Sequence, residues 1–358
     1  MNWALSIERE TIADVTLVEE VDRALEPGEA RLAVRRFALT ANNITYAAFG
    51  TVMRYWDFFP GADQRGRLPV WGFAEVIESR AEGLQDGERI YGYFPAGSEL
   101  IVRPERIDAA SFVDAAPHRA ELPSAYNRYQ RCKADPAWSE AVEPAQMVLQ
   151  PLFITSFLIA PYLREQTAFG AQTIALTSAS SKTAIALAWL LKAQPIAGVK
   201  VEALTSARNA GFVSGLGIYD SVRTYDDIED MPTDGVYAVV DFAGDGGLNT
   251  RLHTHLGAAL KANVRVGGAH WENSAPVGDL PGVKPEFFFA PDHVRTKIKE
   301  WGQDEFNRRY KADWDGFAKA AAEYFDYTEA AGGEGALEVY QALIRGAVPA
   351  SSAETVRV

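Results

Sequence analysis

The sequence predicts an α/β protein in which an antiparallel β region precedes a doubly wound parallel sheet, and three observations carry that expectation. Strand-like patterning broken by turns fills the region from residue 15 to about 117. Short apolar strands then alternate with helices from about 172 to 289. The remainder is helical and charged, and residues 348–358 are able to return as a strand. At 358 residues the chain has room for two ordinary domains.

In the first region, residues 31–39 (RLAVRRFAL) alternate apolar and polar side chains as a half-buried strand does. Residues 69–79 (PVWGFAEVIES) and 88–94 (ERIYGYF) repeat that signal between glycine-containing breaks, as an antiparallel sheet would. The most apolar stretch, 148–163, is short for a bilayer and interrupted by Gln150, Pro151 and Pro161, so a buried helix fits it better. Farther on, residues 173–177 (TIALT) read as a strand and 182–192 (KTAIALAWLLK) as the helix that follows. Strands at 199–205, 236–242 (VYAVVDF) and 263–267 then alternate with helices at 207–216 and 251–260. Such βαβ alternation calls for a parallel sheet.

Composition narrows the function. With 47% hydrophobic and 23% charged residues the chain is globular. A net charge of −13, with no cluster of Lys and Arg interleaved with aromatics, argues against a nucleic-acid partner. The N-terminus lacks the basic flank and apolar core of a secretory signal, so a cytoplasmic location with no membrane partner is expected. The single cysteine, Cys132, provides neither an intramolecular disulfide nor a Cys-rich zinc site. None of the histidines, His118, His253, His255, His270 and His293, forms HExxH. On the helix expected at 251–260, His253 and His255 point about 200° apart. They are read as solvated positions, and no metal is expected.

Several local strings occur in a telling order. Glu26-Pro27-Gly28-Glu29-Ala30-Arg31-Leu32-Ala33-Val34 is similar to a "PGEVLVRV" strand, Ala41-Asn42-Asn43-Ile44-Thr45 to an "NPxDxT" turn, and Asp86-Gly87-Glu88-Arg89-Ile90-Tyr91-Gly92 to "GDRVYG". Residues 215–225 (GLGIYDSVRTY) resemble "LGADxVIDY", and 262–268 (ANVRVGG) resemble "GGRVVxxG". Together these strings resemble the medium-chain dehydrogenase/reductase superfamily, on its zinc-free quinone and enoyl reductase side, in a branch whose nucleotide loop reads Ser-Ala-Ser-Ser-Lys-Thr-Ala. The resemblance implies a GroES-like β-barrel domain from residues 1–145, completed by 305–358, and a Rossmann NADP-binding domain from 150–300, with the active site in the cleft between them. Zinc-dependent members need a Cys near residues 42–46 and a His-Glu pair near Gly72. Those places hold Asn43 and Trp71-Gly72-Phe73-Ala74-Glu75, so zinc alcohol-dehydrogenase chemistry lacks its ligands.

The nucleotide loop is Thr177-Ser178-Ala179-Ser180-Ser181-Lys182-Thr183-Ala184, with no glycine where GxGxxG is usual. The hydroxyls of Ser178, Ser180, Ser181 and Thr183 can donate to a pyrophosphate, and Lys182 can meet its charge. The competing reading makes Ser180 or Ser181 a helix cap. The next strand ends Leu204-Thr205-Ser206-Ala207-Arg208-Asn209, without the Asp or Glu that takes the ribose hydroxyls of NAD. Ser206 and Arg208 suit a 2′-phosphate, which points to NADPH; the alternative for Arg208 is an exposed helix-start residue. Asn209, Phe242, Gly267 and Gly268 complete the cofactor set implied by the resemblance. Two short matches mislead. Ser181-Lys182-Thr183 lacks the glycines of a P-loop, and Tyr129-x-x-x-Lys133, the Tyr/Lys pair of short-chain dehydrogenases, precedes the nucleotide loop when it should follow.

For the acceptor, Tyr46 and Tyr55 are the catalytic candidates, as neutral donors to a developing oxyanion. That choice rests on family position, and each of the 14 tyrosines is also a packing candidate. Asn43, Tyr126 and Arg128 are the candidate substrate-binding residues, with Tyr126 to Arg131 forming a basic stretch suited to an anionic group. Aromatics at 55–59, 91–94 and 287–289 suggest a flat apolar pocket or, equally, a hydrophobic core. The expected function is NADPH-dependent hydride transfer, without metal, to a conjugated carbonyl, enoyl or quinone-like acceptor. The alternative is a non-catalytic NADP(H)-binding sensor or assembly protein. A small molecule is the expected partner, and a homodimer is compatible with the sequence.

Overall fold

The computed structural model describes residues 2–267 and 280–358 and divides into two compact units, Met1–Val148 with Phe325–Val358, and Leu149–Tyr324. The first unit contains β1 (Trp3–Glu8), β2 (Val15–Glu19), β3 (Ala30–Ala38), α1 (Ala41–Ala48), β4 (Arg65–Arg67), β5 (Pro69–Ser79), β6 (Arg89–Pro95), β7 (Glu99–Val102), β8 (Pro104–Glu105), β9 (Ser111–Asp114) and β10 (Arg128–Arg131). A small sheet runs β2-β1-β4, and in the larger one β3, β5, β6, β10, β9 and β8 are successive neighbours. The alternation seen in β3 is only partly a solvent face. Arg31 is buried, held by Asp22 at 2.7 Å and Glu99 at 3.0 Å. On β5 and β6, Gly72 and Gly92 are register partners. A Cβ on Gly92 would lie 2.4 Å from the Tyr129 ring, so glycine is what lets that ring lie against the strand.

The 41–45 stretch, expected as a turn, is the start of helix α1. Thr40 and Asn43 form a capping box that satisfies the helix's first amides, which makes helix the better local solution.

Helix α2 (Glu143–Glu165) leads into the second unit. By length and composition it is the one helix among the described residues apolar enough to cross a membrane, yet 61% of its apolar stretch is buried. Phe153 stacks on Phe317 at 5.3 Å and Phe157 meets Phe306 edge-on at 5.6 Å, the packing of a core helix. The unit continues with β11 (Thr173–Leu176), α3 (Lys182–Ala193), β12 (Lys200–Thr205), α4 (Ala207–Gly215), β13 (Ser221–Thr224), β14 (Tyr237–Asp241), α5 (Gly246–Leu256), β15 (Leu260–Arg265), β16 (Glu286–Phe287), α6 (Ala290–Trp301) and α7 (Gln303–Tyr324). All five strand pairings are parallel, in the order β13-β12-β11-β14-β15-β16. That is the doubly wound order whose direction of winding reverses between β11 and β14, where loops part and ligands bind. Helix α5 starts earlier than residue 251 because Asp245 caps it, accepting from the Leu248 amide at 2.8 Å.

The chain returns to the first unit as β17 (Asp326–Ala331), α8 (Gly332–Ile344) and β18 (Ser352–Arg357). Strand β18 pairs antiparallel with β3, and β17 lies parallel to β18 at the sheet edge. Residue 305 was the expected point of return, but α7 belongs to the second unit, where Phe317 is buried against Phe153 and Trp189. The sequence pattern predicts helix through the stretch that holds β17. An edge strand reading DYTEAA, with no fully buried position, carries no apolar alternation to betray it.

Candidate functional site

The loop between β11 and α3 occupies the switch point of the parallel sheet. Ser178 adopts φ 47°, the left-handed conformation that glycine supplies in GxGxxG loops, so the turn is made without one. Its amide donates to the Tyr225 hydroxyl at 2.9 Å, and burial pushes the Tyr225 phenol up to about 12. Ser181 caps α3, accepting from the Ala184 amide at 3.3 Å, so the helix-cap reading describes this serine. The Ser180 hydroxyl accepts from the Asn209 side chain at 3.0 Å, which ties the start of α4 to the loop. Lys182 and Thr183 form the first turn of α3, whose positive dipole end faces the loop.

At the end of β12, Ser206 takes the N-cap position of α4 but spends no side-chain hydrogen bond on that helix, and Arg208 is exposed in the first turn. Phe242 is buried, and its amide donates to Thr177 Oγ1 at 2.9 Å. Gly267 sits close enough to Phe242 that a Cβ would lie 3.3 Å from its carbonyl oxygen. Gly268 lies outside the described residues.

Behind the loop runs a buried polar chain that the sequence reading did not single out. Thr177 Oγ1 donates to Asp241 Oδ1 at 2.7 Å, and the amides of Ala243 and Gly244 donate to the same oxygen. Asn249 Nδ2 reaches Asp241 Oδ2 at 2.8 Å, Asn263 Nδ2 reaches Asn249 Oδ1 at 2.9 Å, and the same nitrogen meets His253 Nε2 at 2.8 Å. All five side chains are buried. His253 is therefore no solvated helix position: α5 packs that face against β14 and β15, and burial holds the ring below the usual histidine range. A polar residue closing each of two adjacent parallel strands, Thr177 after β11 and Asp241 on β14, was the available sequence signal.

In the first unit, Tyr46 and Tyr55 come together at 4.6 Å between ring centroids, and Tyr126 meets the Tyr55 ring edge-on at 5.9 Å. The Tyr46 hydroxyl accepts from Trp71 Nε1 at 3.4 Å and is hydrogen-bonded by Asn42 and Tyr126. Burial raises the Tyr46, Tyr55 and Tyr126 phenols, so all three stay protonated donors at neutral pH. Tyr55 and Tyr126 are only partly buried, so the cluster has an open side. Phe58, Phe59 and Tyr93 form its floor, with Arg119 4.5 Å above the Phe59 ring and paired with Asp114 at 3.0 Å.

Two candidate substrate residues stand differently. Asn43 is spent on structure, since Oδ1 accepts from the Thr40 amide at 2.7 Å and Nδ2 donates to the Pro69 carbonyl at 2.9 Å. Arg128 is exposed on β10, its charge acting on Asp108, while its neighbour Tyr129 is turned into the core. Of the 287–289 aromatics, Phe287 and Phe289 are exposed and stack on each other, and Phe288 is buried on His293. Among the described residues, no group of three His, Cys, Asp or Glu is placed to hold a metal.

A family described as "Protein of unknown function (DUF2855)" matches residues 37–349. No curated protein matches the sequence. Among solved structures the chain is similar to CurA from Vibrio vulnificus, with 11% identity and a TM-score of 0.59 over 100% of this chain and 99% of that one. CurA has also been solved in complex with NADPH. Similar too are the CurK enoyl reductase, with 13% identity and a TM-score of 0.56 over 99% of each chain, and the yhdH oxidoreductase from Salmonella enterica in complex with NADP, with 14% identity and a TM-score of 0.53 over 100% of each. The chain shares the fold of these solved structures, a mixed α/β fold with a parallel sheet and a separate antiparallel sheet.

Proposed function

The chain belongs to the family described as protein of unknown function DUF2855, and we propose that it is an NADPH-dependent oxidoreductase that reduces a conjugated carbonyl, enoyl or quinone-like acceptor without a metal ion. The observation that carries this reading is the end of β12. No carboxylate stands there to take ribose hydroxyls; the strand offers instead a Ser206 hydroxyl unspent on its helix and the Arg208 guanidinium two residues on. A 2′-phosphate would be held by those two groups, and the pyrophosphate by the first turn of α3 with Ser180, Lys182 and Thr183. NADPH, when bound, supplies the hydride. The solved complexes of CurA with NADPH and of yhdH with NADP support the same choice.

The chain's own residues then have two tasks. The nucleotide loop fixes the dinucleotide. The tyrosine cluster binds the acceptor oxygen: Tyr46, Tyr55 and Tyr126 are hydrogen-bonded among themselves, with Trp71 also donating to Tyr46, and an oxygen gaining negative charge would draw a phenol proton out of that network. The open aromatic side of the cluster suits a flat, apolar acceptor.

The test is steady-state NADPH oxidation against a panel of enones, quinones and enoyl thioesters, with and without a chelator. Turnover insensitive to chelation is expected. NADPH binding without turnover across the panel would favour the non-catalytic sensor, and no NADPH binding would remove the nucleotide reading altogether.

A further inference from the structure

We propose that the buried chain of Thr177, Asp241, Asn249, Asn263 and His253 sets the shape of the nucleotide loop, and that a proton on His253 loosens the loop's hold on a dinucleotide phosphate. The inference rests on the dinucleotide reading above and adds to it a positioning device and a pH response.

The two ends of the chain fix the direction of every bond in it. At one end Asp241 meets only donors: the Thr177 hydroxyl, the Ala243 and Gly244 amides, and the Asn249 side chain. Asn249 must therefore turn its amide nitrogen to Asp241, leaving its oxygen to accept from Asn263. At the other end His253 Nδ1 lies 3.0 Å from the Pro281 carbonyl, which can only accept, so Nδ1 carries the hydrogen. Nε2 is then a bare lone pair, filled by the second hydrogen of Asn263 Nδ2. The tautomer is thus specified by a carboxylate on β14 and a carbonyl at residue 281.

A proton on Nε2 would set an N–H against the Asn263 amide nitrogen. Asn263 Oδ1 is buried and without a hydrogen-bond partner, so it is the acceptor a protonated His253 would recruit by rotation of that amide. The rotation withdraws the donor from Asn249 and faces two oxygens toward each other. Asn249 in turn steadies Asp241, and Asp241 steadies Thr177 and the turn after β14. The disturbance ends at the nucleotide loop. Of the charges around His253, Asp241 acts from β14 and favours the protonated ring, but burial outweighs it. On α5 itself Arg251 is paired with Glu229 at 2.6 Å, and His255 Nε2 is bonded to the Met231 carbonyl at 2.8 Å. On β15, Lys261 is exposed and donates to the Ala258 carbonyl.

With five histidines in the chain, ring-nitrogen NMR on ¹⁵N-histidine protein resolves each one. The His253 signal is assigned by its loss in His253→Asn. Should that variant not fold, replacing His118, His255, His270 and His293 one at a time assigns it by elimination. The expected result is an Nδ1–H tautomer whose pKa falls by about half a unit or more on saturation with NADP⁺, the reciprocal of a roughly threefold weaker affinity for the protonated form. The sign is diagnostic, because the field of a bound phosphate alone would raise that pKa. An Nε2–H tautomer, or a pKa unchanged or raised with nucleotide bound, would overturn the proposal while leaving the dinucleotide reading intact. Absence of NADP⁺ binding in calorimetry would remove that reading, and this inference with it.

Discussion

In the proposed nucleotide site Arg208 and Lys182 would meet different parts of one ligand, and that difference makes the cofactor choice testable a side chain at a time. Arg208→Ala removes a charge-assisted contact to the 2′-phosphate worth on the order of 1.5–3 kcal/mol, roughly a ten- to hundredfold loss in NADPH affinity. NADH lacks that phosphate, so its affinity should hardly change. Lys182→Ala should weaken both, since both carry the pyrophosphate. Titration of each cofactor by nicotinamide fluorescence checks this, and equal losses for the two cofactors in Arg208→Ala would refute the 2′-phosphate assignment. Tyr46→Phe tests the other site: the ring keeps its place against Tyr55 and Tyr93 while the hydroxyl is lost. A fall in kcat of about 10²–10³ is expected, with NADPH affinity unchanged. Because burial raises the Tyr46 pKa above its ordinary 10, loss of the donor proton should leave the pH profile flat up to about pH 10. A basic limb centred in the ordinary tyrosine range and absent in Tyr46→Phe would show an exposed phenol instead.

At the scale of single elements, residues that looked functional can be spent on local structure. Asn43 illustrates this: a polar side chain beside a candidate catalytic tyrosine closes the capping box of α1 and also holds the Pro69 carbonyl. Asn43→Ala should therefore cost about 1–3 kcal/mol of stability, a lost cap plus an unpaired buried carbonyl, with little effect on KM for the acceptor once the protein is folded. Denaturant unfolding beside steady-state kinetics measures both; a raised KM at unchanged stability would restore the substrate-binding reading. The same competition explains what was legible. Strands and helices at the sheet core were readable because burial imposes its period on the sequence, as in 173–177 and 182–192. The capping of α1 hid behind a turn-like string, and β17 was hidden because an edge strand buries too little to be patterned. Ser178 was readable as a loop residue but not as the left-handed one, since serine carries no signal for positive φ.

For the molecule as a whole, the order of strands and helices was the most legible property, because βαβ alternation leaves few ways to wind a parallel sheet. The polar chain behind the nucleotide loop was the least legible. Thr177 lies 64 residues before Asp241, and only the folded sheet brings the end of β11 beside Asp241 on β14 and Asn263 on β15. The integrity of that fold can be followed through its single thiol. Cys132 is 4% exposed, and burial first, then the charge of Glu143, pushes its thiol up to about 12. Near pH 8 an ordinary thiol holds a substantial thiolate fraction. A thiol with a pKa of about 12 holds roughly three orders of magnitude less, and the thiolate is the reactive form. Native protein at pH 8 should therefore react with a disulfide reagent only as fast as the first unit opens, whereas denatured protein should give one equivalent at once. Raising the pH should not restore fast native labelling until well past 10, because the folded thiol, unlike the unfolded one, stays protonated through that range. Rapid stoichiometric labelling of native protein would show that Cys132 is accessible to solvent, and with it that the sheet around β6 and β10 does not close over the thiol.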